Sequence, residues 1–276
     1  MALAIITADQ RMRSATVKGM VLGKAGVGKT TLIKSLDPAT TLCLDVEGGM
    51  LSVQRDDRFG PAWRGDSIKI ESWPEAKAVL EAFKAKHPAF TKYHSVFIDS
   101  ISIASRMCFD WCKEQPEAFN KKGEKNNLGA YGLLGLEMPD WCWGWKHLDG
   151  VNVWLVGGLE QKEVLGVKEW VPLTTGSKLA SELPFIMDCC LVMDRFKAAD
   201  GNYYVGLFTD ALKNPEYASV PVKTRIDGLD QIEPPHLGKL MAKAIGSSPQ
   251  SAPPPSAATN QTGNDAHATP NHSEAA

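Results

Sequence analysis

The stretch GKAGVGKT, residues Gly23-Lys24-Ala25-Gly26-Val27-Gly28-Lys29-Thr30, decides the fold. It has the spacing G-x-x-x-x-G-K-[ST], in which successive backbone N–H groups curl around a phosphate and the lysine reaches the β- and γ-phosphates. An apolar run at 15–22 predicts a buried strand before it, and Thr30 to Leu36 predicts a short helix after it. The pattern therefore predicts a site for ATP with Mg²⁺. The expected contacts are Gly23, Lys24, Ala25, Gly26, Val27, Gly28, Lys29, Thr30 and Thr31.

Acidic residues follow two other predicted strands. Asp99 ends the apolar run SVFID, 95–99. A carboxylate at that end of a strand beside the phosphate loop is suited, with the Thr30 hydroxyl, to ligate Mg²⁺. Asp45 and Glu47 come at the end of TLCLDV, 41–46, and a carboxylate there can polarise an attacking water. Both lie on one side if the strand continues, so the residues leave open which of them is chemical and which structural.

The remaining pattern predicts an α/β fold, with early strands alternating with helices in a mostly parallel, doubly wound sheet and antiparallel strands at one edge. Further strands are predicted at 67–70, 151–156, 189–193, 203–208 and 219–223. Helices are predicted from the Ser72 cap to before Pro88 and at 101–112, 137–148 and 235–245, the last ended by Gly246. Residues 113–132 are predicted to be a long loop, and 159–177 a loop or hairpin.

Length and composition favour one folded body. The 276 residues are 43% hydrophobic, and no apolar run approaches the roughly 20 residues of a transmembrane helix. Six irregularly spaced cysteines indicate buried, reduced thiols and a cytoplasmic protein. We expect an N-terminal extension at 1–14, a single ATPase domain at 15–246, and a disordered Pro/Ala/Ser-rich tail at 247–276.

The net charge of −2 excludes a globally basic nucleic-acid binder. The tail has no Lys or Arg, and its acids are Asp265 and Glu274, so removing it leaves 30 basic and 32 − 2 = 30 acidic residues. The body is therefore neutral, and any groove for nucleic acid must be local or assembled from several subunits.

The ordered set GKAGVGKTTL, LDVEGG and VFIDS resembles the RecA-like ATPase core. The resemblance implies that Glu47 activates water and that Asp99, followed by Ser100, is the Walker B carboxylate. Over about 17–246 the chain resembles, more narrowly, the small phage-encoded RecA-like ATPases known as phage nucleotide-binding proteins. Some of these act with single-strand-binding protein in single-strand annealing recombination. The resemblance implies ATP hydrolysis, a homo-oligomeric ring or filament, single-stranded DNA as a partner, and the host cytoplasm.

Lys223-Thr224-Arg225 resembles the K-x-R pair of hexameric helicases and circadian-clock ATPases, which reaches the γ-phosphate bound by a neighbouring subunit. Alternation along a strand puts Lys223 and Arg225 on one face. In RecA-like proteins the loops corresponding to 113–132 and 159–177 line the DNA path. The resemblance therefore implies phosphate contacts for Lys121, Lys122 and Lys125, with Tyr131 or Trp170 available to stack on bases.

Several alternatives stay open. Lys24 to Thr31 also resembles the loop of dimeric ParA/MinD-type positioning ATPases, in which the first lysine reaches across a dimer, although Ala25 replaces a glycine. A nucleotide-switched assembly protein without DNA binding is a third possibility. The γ-phosphate sensor is unassigned, and Glu160 and Gln161 are the nearest polar candidates. Helical spacing predicts that Trp141 and Trp145 serve the core or a subunit contact rather than base stacking.

Overall fold

A computed structural model describes Thr7 and residues 15–246, apart from Arg58, Leu165 and the segment 210–221. The predicted tail at 247–276 and, except for Thr7, the predicted extension at 1–14 lie outside the described residues. The described part has an α/β fold with a mostly parallel mixed sheet, as the sequence predicts.

Ten strands form the sheet within the described residues, and their order along the main path is β10-β8-β7-β1-β5-β4-β2-β3. Strands β1 to β5, together with β7, make the parallel part. The antiparallel pairings are β6 with β5, β8 and β9 with β7, and β10 with β8. The strands are β1 Lys18–Gly23, β2 Thr41–Asp45, β3 Asp66–Lys69, β4 Ser95–Asp99, β5 Asn152–Val164, β6 Val167–Pro172, β7 Cys189–Lys197, β8 Tyr203–Phe208, β9 Lys223–Thr224 and β10 Ile232–Glu233.

Strand register brings the motif residues to one edge. Gly23 at the end of β1 is level with Gly158 of β5 and Met193 of β7, and Asp45 of β2 is level with Asp99 of β4. Because parallel strands share a carboxyl edge, the phosphate loop and both acidic strand ends open into the same crevice.

Helices cover both faces of the sheet. The α-helices are α1 Trp73–Lys84, α2 Ile101–Cys112, α3 Asn127–Lys146, α4 Ser177–Ile186 and α5 Leu237–Ile245, and 3₁₀ helices lie at Thr30–Ser35, Gly49–Val53, Pro88–Phe90 and Pro116–Ala118. Helices α1 to α4 pack over one core, which contains Trp73, Ile98 and Trp145. Helix α5 and the 3₁₀ helix Thr30–Ser35 pack over the other, around Ile33 and Trp154. No helix in the described part of the chain is long and apolar enough to cross a bilayer.

The loop predicted at 113–132 is wrong over residues 127–132, because α3 begins at Asn127 and not near residue 137. Glycines at 129, 132 and 135 lower the helix propensity there, which is why local pattern favours a loop. Tertiary packing decides otherwise: a Cβ at Gly129 would lie 1.9 Å from the Glu117 carbonyl oxygen, so the helix is seated where only glycine fits.

The tryptophans, the cysteines and one predicted strand can also be compared with the structure. Trp141 and Trp145 lie in the core as predicted, whereas Trp143 is 40% exposed, and all six cysteines are buried. Of the strand predicted at 219–223, Lys223 lies in β9, which pairs with β7, and Val222 lies outside that strand. Residues 219–221 lie outside the described residues.

Candidate active site

The phosphate loop connects β1 to the 3₁₀ helix Thr30–Ser35. Gly26 and Gly28 have φ values of +74° and +106°, a conformation that side chains with a Cβ rarely adopt. The Lys29 ammonium lies inside the curl of the loop and donates to the carbonyl oxygens of Gly23 and Lys24 at 3.0 and 2.9 Å. Burial lowers the pKa of Lys29, and Asp99 and Glu47 oppose that shift.

The two predicted Mg²⁺ ligands touch. Thr30 Oγ1 donates to Asp99 Oδ2 at 2.6 Å, and Asp99 is 2% exposed. Burial raises the pKa of Asp99 to about 6, with Glu47 adding to the rise and the Thr30 hydrogen bond and Lys29 opposing it. A Cβ at Gly49 would lie 3.5 Å from Asp99 Oδ2 and 3.6 Å from Thr30 Oγ1, so the glycine leaves the space beside the pair open.

This donor set fits Mg²⁺, which binds one or two protein oxygens and takes its other ligands from phosphate and water. In the described residues no group of three or more His, Cys, Asp or Glu side chains converges into a metal cage. The Thr30 and Asp99 oxygens leave the other positions around a metal to phosphate and water.

The structure gives Asp45 and Glu47 different surroundings. Strand β2 ends at Asp45, whose Oδ1 accepts the backbone N–H groups of Gly48 and Gly49 at 2.8 and 3.0 Å. The Glu47 side chain is exposed and lines the cavity over the phosphate loop. Its backbone N–H donates to the Asp99 carbonyl oxygen at 3.0 Å, which keeps it next to β4. Asp45 thus shapes the turn, and Glu47 faces the space where phosphate chemistry would occur.

One cavity of about 490 Å³ joins these groups. Its lining consists of Ala25, Gly26, Val27, Gly28, Lys29, Thr30, Thr31, Glu47, Ser52, Phe59, Asp99, Ser100, Ser102, Ile103, Gly158, Leu159 and Leu173. A larger cavity of about 590 Å³ lies at the opposite, amino ends of β4 and β5, between Phe90, Trp143 and His147. Size alone therefore does not locate the chemistry, which follows the converging polar groups.

Comparison with protein families adds a finding that agrees with this geometry. A family model described as an AAA domain matches residues 15–217. The chain belongs to this AAA-domain family. It therefore carries a nucleotide-binding, AAA-type P-loop ATPase domain.

A search of curated proteins found no match to this AAA domain. Among solved structures, the chain is similar to a prototypical ATPase from the type III secretion system of pathogenic bacteria, with 15% sequence identity and a TM-score of 0.38. The match covers 64% of this chain, which spans about half, 52%, of that ATPase.

Lys24 of the AAA domain has partners in its own chain. Its ammonium lies 3.5 Å from Asp194 Oδ2 and 4.9 Å from the centre of the Trp170 ring. Trp170 is on the β5–β6 hairpin, which confirms the hairpin alternative for 159–177. These contacts hold Lys24 against β7 and the hairpin.

Ser102 and Phe59 line the cavity and were not anticipated from the sequence. Ser102, in the first turn of α2, accepts the Gly158 N–H at 2.8 Å, and Phe59 lies on the loop before β3. Neither residue belongs to the phosphate-loop pattern. The position of Ser102, three residues after Asp99, is a sequence signal that could have pointed to it. The sensor candidates Glu160 and Gln161 lie on the hairpin, where Glu160 pairs with Lys162 at 2.8 Å, and neither lines the cavity.

Lys223 and Arg225 do not meet the phosphate loop of the same chain. Thr224 is level with Cys189, the first residue of β7, so the pair lies at the amino edge of the sheet. Arg225 Nη1 is 3.3 Å from Asp188 Oδ1, which also receives the Lys146 ammonium. Contact between this pair and a phosphate loop requires a second copy of the chain.

The lysines predicted to follow DNA are exposed on the segment before α3. Asn120 Oδ1 accepts the N–H groups of Lys122 and Glu124 at 2.8 and 3.0 Å, which folds this segment into a turn. The Lys125 ammonium pairs with Glu114 at 3.4 Å. Tyr131 stacks on Phe109 with ring centres 4.3 Å apart.

Proposed function

We propose that the chain hydrolyses ATP with Mg²⁺ at the carboxyl edge of its parallel strands. The observation that carries the proposal is the 2.6 Å contact between Thr30 and Asp99, with Lys29 inside the loop and Glu47 at the rim of the same cavity. Phosphoryl transfer to water needs a loop that binds phosphate, oxygen ligands for Mg²⁺, and a carboxylate that can accept a proton from water. The phosphate loop, the Thr30–Asp99 pair and Glu47 are suited to these tasks.

Each side chain has a task in this reaction. Lys29 and the loop N–H groups balance the charge of the β- and γ-phosphates and orient them. Thr30 and Asp99 would hold Mg²⁺, which when bound neutralises charge on the phosphate oxygens. Glu47 accepts a proton from the water that attacks the γ-phosphorus, the bond from that phosphorus to the β–γ bridging oxygen breaks, and ADP and inorganic phosphate leave.

The test is phosphate release from purified protein with ATP and Mg²⁺, beside the variant Lys29→Ala. We expect turnover in the wild type and a loss of roughly 100-fold or more in the variant. If the wild-type protein binds ATP in calorimetry but releases no phosphate, the ATPase proposal is contradicted. The chain would then be proposed as a nucleotide-switched assembly protein.

We further propose that the active site is completed by a second copy in a ring or filament, with Lys223 and Arg225 facing the neighbour's γ-phosphate. Both residues lie at the amino edge of the sheet, and the Arg225 side chain is 60% exposed. This position leaves them available to another subunit. A guanidinium supplied in trans stabilises charge that develops in the transition state. Mixing Arg225→Ala with Glu47→Gln tests this, because only a shared site regains turnover from two inactive variants. No recovery in mixed assemblies would contradict it.

Single-stranded DNA is the proposed effector, acting in recombination or replication with a single-strand-binding protein as a further partner. Support comes from the resemblance to RecA-like ATPases and from the exposed Lys121 and Lys122. Phosphate contacts predict binding that weakens steeply with salt. We expect the fluorescence anisotropy of labelled oligo-dT to rise when the protein is added with ATP. We also expect ATP turnover to be faster in the presence of DNA. Replacing Lys121 and Lys122 by Ala should weaken binding, while Lys84→Ala with Lys86→Ala, on an exposed segment elsewhere, should not.

If an ATP-bound dimer hydrolyses ATP at a rate that does not depend on DNA, the result would instead favour a ParA/MinD-type positioning ATPase. The oligomer size measured with ATP therefore accompanies the DNA experiment, since a ring or filament supports the RecA-like proposal and a dimer contradicts it.

A further inference from the structure

Phe59 lies against the phosphate loop although it is 30 residues further along the chain than Lys29. Its ring tip, Cζ, is 3.3 Å from the point that a Cβ on Gly28 would occupy. The side chain is half-buried, and it is the one aromatic among the described residues that line the cavity over the loop. The cavity therefore has an apolar ring surface beside its phosphate-binding curl.

The segment that carries Phe59 is tied to the phosphate-loop helix. Lys34, on the 3₁₀ helix Thr30–Ser35, has a side chain that is 1% exposed, and its ammonium pairs with Asp57 Oδ2 at 2.9 Å and donates to the Arg55 carbonyl oxygen at 2.8 Å. The Lys34 side chain is buried while that of Asp57 is 34% exposed, so the pair is less screened by solvent than one between two exposed side chains. The link fixes the segment to the helix that follows the loop.

Backbone bonds then fix Phe59 within its segment. Asp57 and Gly60 exchange N–H···O bonds in both directions at 3.0 Å, and the Phe59 N–H donates to Asp57 Oδ1 at 2.8 Å. The same carboxylate that binds Lys34 thus also holds the Phe59 backbone. The backbone that carries the ring is thus held by bonds within the protein.

We propose that Phe59 is a stacking platform for the base of the nucleotide, an inference that rests on the proposed ATPase function. A triphosphate held by the loop places its nucleoside close to the loop, and Phe59 is the aromatic side chain that lines the cavity there. Stacking on an aromatic side chain recognises the face of a base and tolerates changes at its edge. The platform therefore contributes to nucleotide affinity, and it does not by itself separate ATP from GTP.

Calorimetry with two probes, Mg-ATP and inorganic tripolyphosphate with Mg²⁺, tests the platform. We expect Phe59→Leu, which keeps an apolar side chain but removes the ring, to bind ATP roughly tenfold more weakly. Its affinity for tripolyphosphate, which has no base, should equal that of the wild type. Phe59→Tyr should retain ATP binding because it retains the ring. Phe185→Leu, at a 75% exposed aromatic on α4, is the matched control and should change neither affinity.

The outcomes separate the two proposals. Wild-type protein that binds neither probe would overturn nucleotide binding itself, and Phe59 stacking with it. Wild-type protein that binds ATP, with Phe59→Leu unchanged or with both probes weakened equally, would overturn only the platform and leave Phe59 a packing residue of the loop. Thermal unfolding of each variant accompanies the titrations, and Phe59→Met, which also removes the ring, takes the place of Phe59→Leu if that variant proves unstable.

Discussion

Thr30 Oγ1 and Asp99 Oδ2 are 2.6 Å apart across 69 residues of sequence. The contact joins the last residue of the phosphate-loop motif to the last residue of β4, two strands away from β1 in the sheet. It forms because β4 and β1 both pair with β5 in parallel and end at the same edge. The pairing of β1 and β4 with β5 thus holds the hydroxyl and the buried carboxylate together without a contribution from a ligand.

This pair makes a first prediction about metal dependence. Asp99→Asn and Thr30→Ala should each lower ATP turnover by roughly 100-fold or more, because both remove an oxygen suited to Mg²⁺. Thr30→Ser keeps the hydroxyl and should remain within about fivefold of the wild type. The measurement is turnover titrated with Mg²⁺. Equal rates for Thr30→Ala and Thr30→Ser would contradict the assignment.

A second prediction separates two neighbouring carboxylates. Glu47→Gln should lower turnover by roughly 100-fold or more with ATP affinity retained, since it removes the base that faces the cavity. Asp45→Asn keeps an oxygen for the Gly48 and Gly49 N–H groups and should stay within about threefold of the wild type. Single-turnover phosphate release and ATP titration measure the two properties. The reverse order of effects would assign the chemistry to Asp45.

Lys24 gives a third prediction. Its ammonium contacts Asp194 and Trp170 of its own chain, so Lys24→Ala should lower turnover by less than about fivefold, as expected for a partly exposed ion pair. Lys29→Ala is the reference for a severe loss. If Lys24→Ala proved as severe in the same phosphate-release assay, the lysine would act across a dimer interface as in ParA/MinD-type ATPases.

Lys18 predicts how stability depends on pH. The side chain is buried and donates to the carbonyl oxygens of Leu148 and Val151, and burial lowers its pKa to about 8. An unfolded lysine titrates near ~10.4, so between these values the unfolded chain binds more protons and stability rises with pH. Below pH 8 both states are protonated, and this dependence vanishes.

The variant Lys18→Met isolates the effect. The free energy of unfolding of the wild type minus that of the variant should increase by on the order of 2–3 kcal/mol from pH 8 to 10.5. Denaturant unfolding at several pH values measures it. A difference that stays flat would show that Lys18 does not titrate in this window.

Local sequence was informative wherever a short-range rule governs. The Ser72 cap that accepts the Glu75 N–H and the Gly246 C-cap with φ of +72° follow from bonds made within a few residues. The strand that ends at Asp99 follows from its apolar run, although its ladder bonds reach the distant strands β2 and β5. The start of the helix at Asn127 was not predicted in this way, because Gly129 is required by its contact with Glu117, which the sequence pattern does not encode.

The sequence alone determined the α/β class, the phosphate loop and the set of acids that could serve it, because these depend on periodicity and on residue types at fixed spacings. Long-range packing places the Asp45 carboxylate on the turn N–H groups and the Glu47 side chain at the cavity. It also places Arg225 beside Asp188 at the amino edge of the sheet and the Phe59 ring tip against Gly28. Those relationships are set by strand register and by side-chain contacts between distant segments, which local periodicity does not specify.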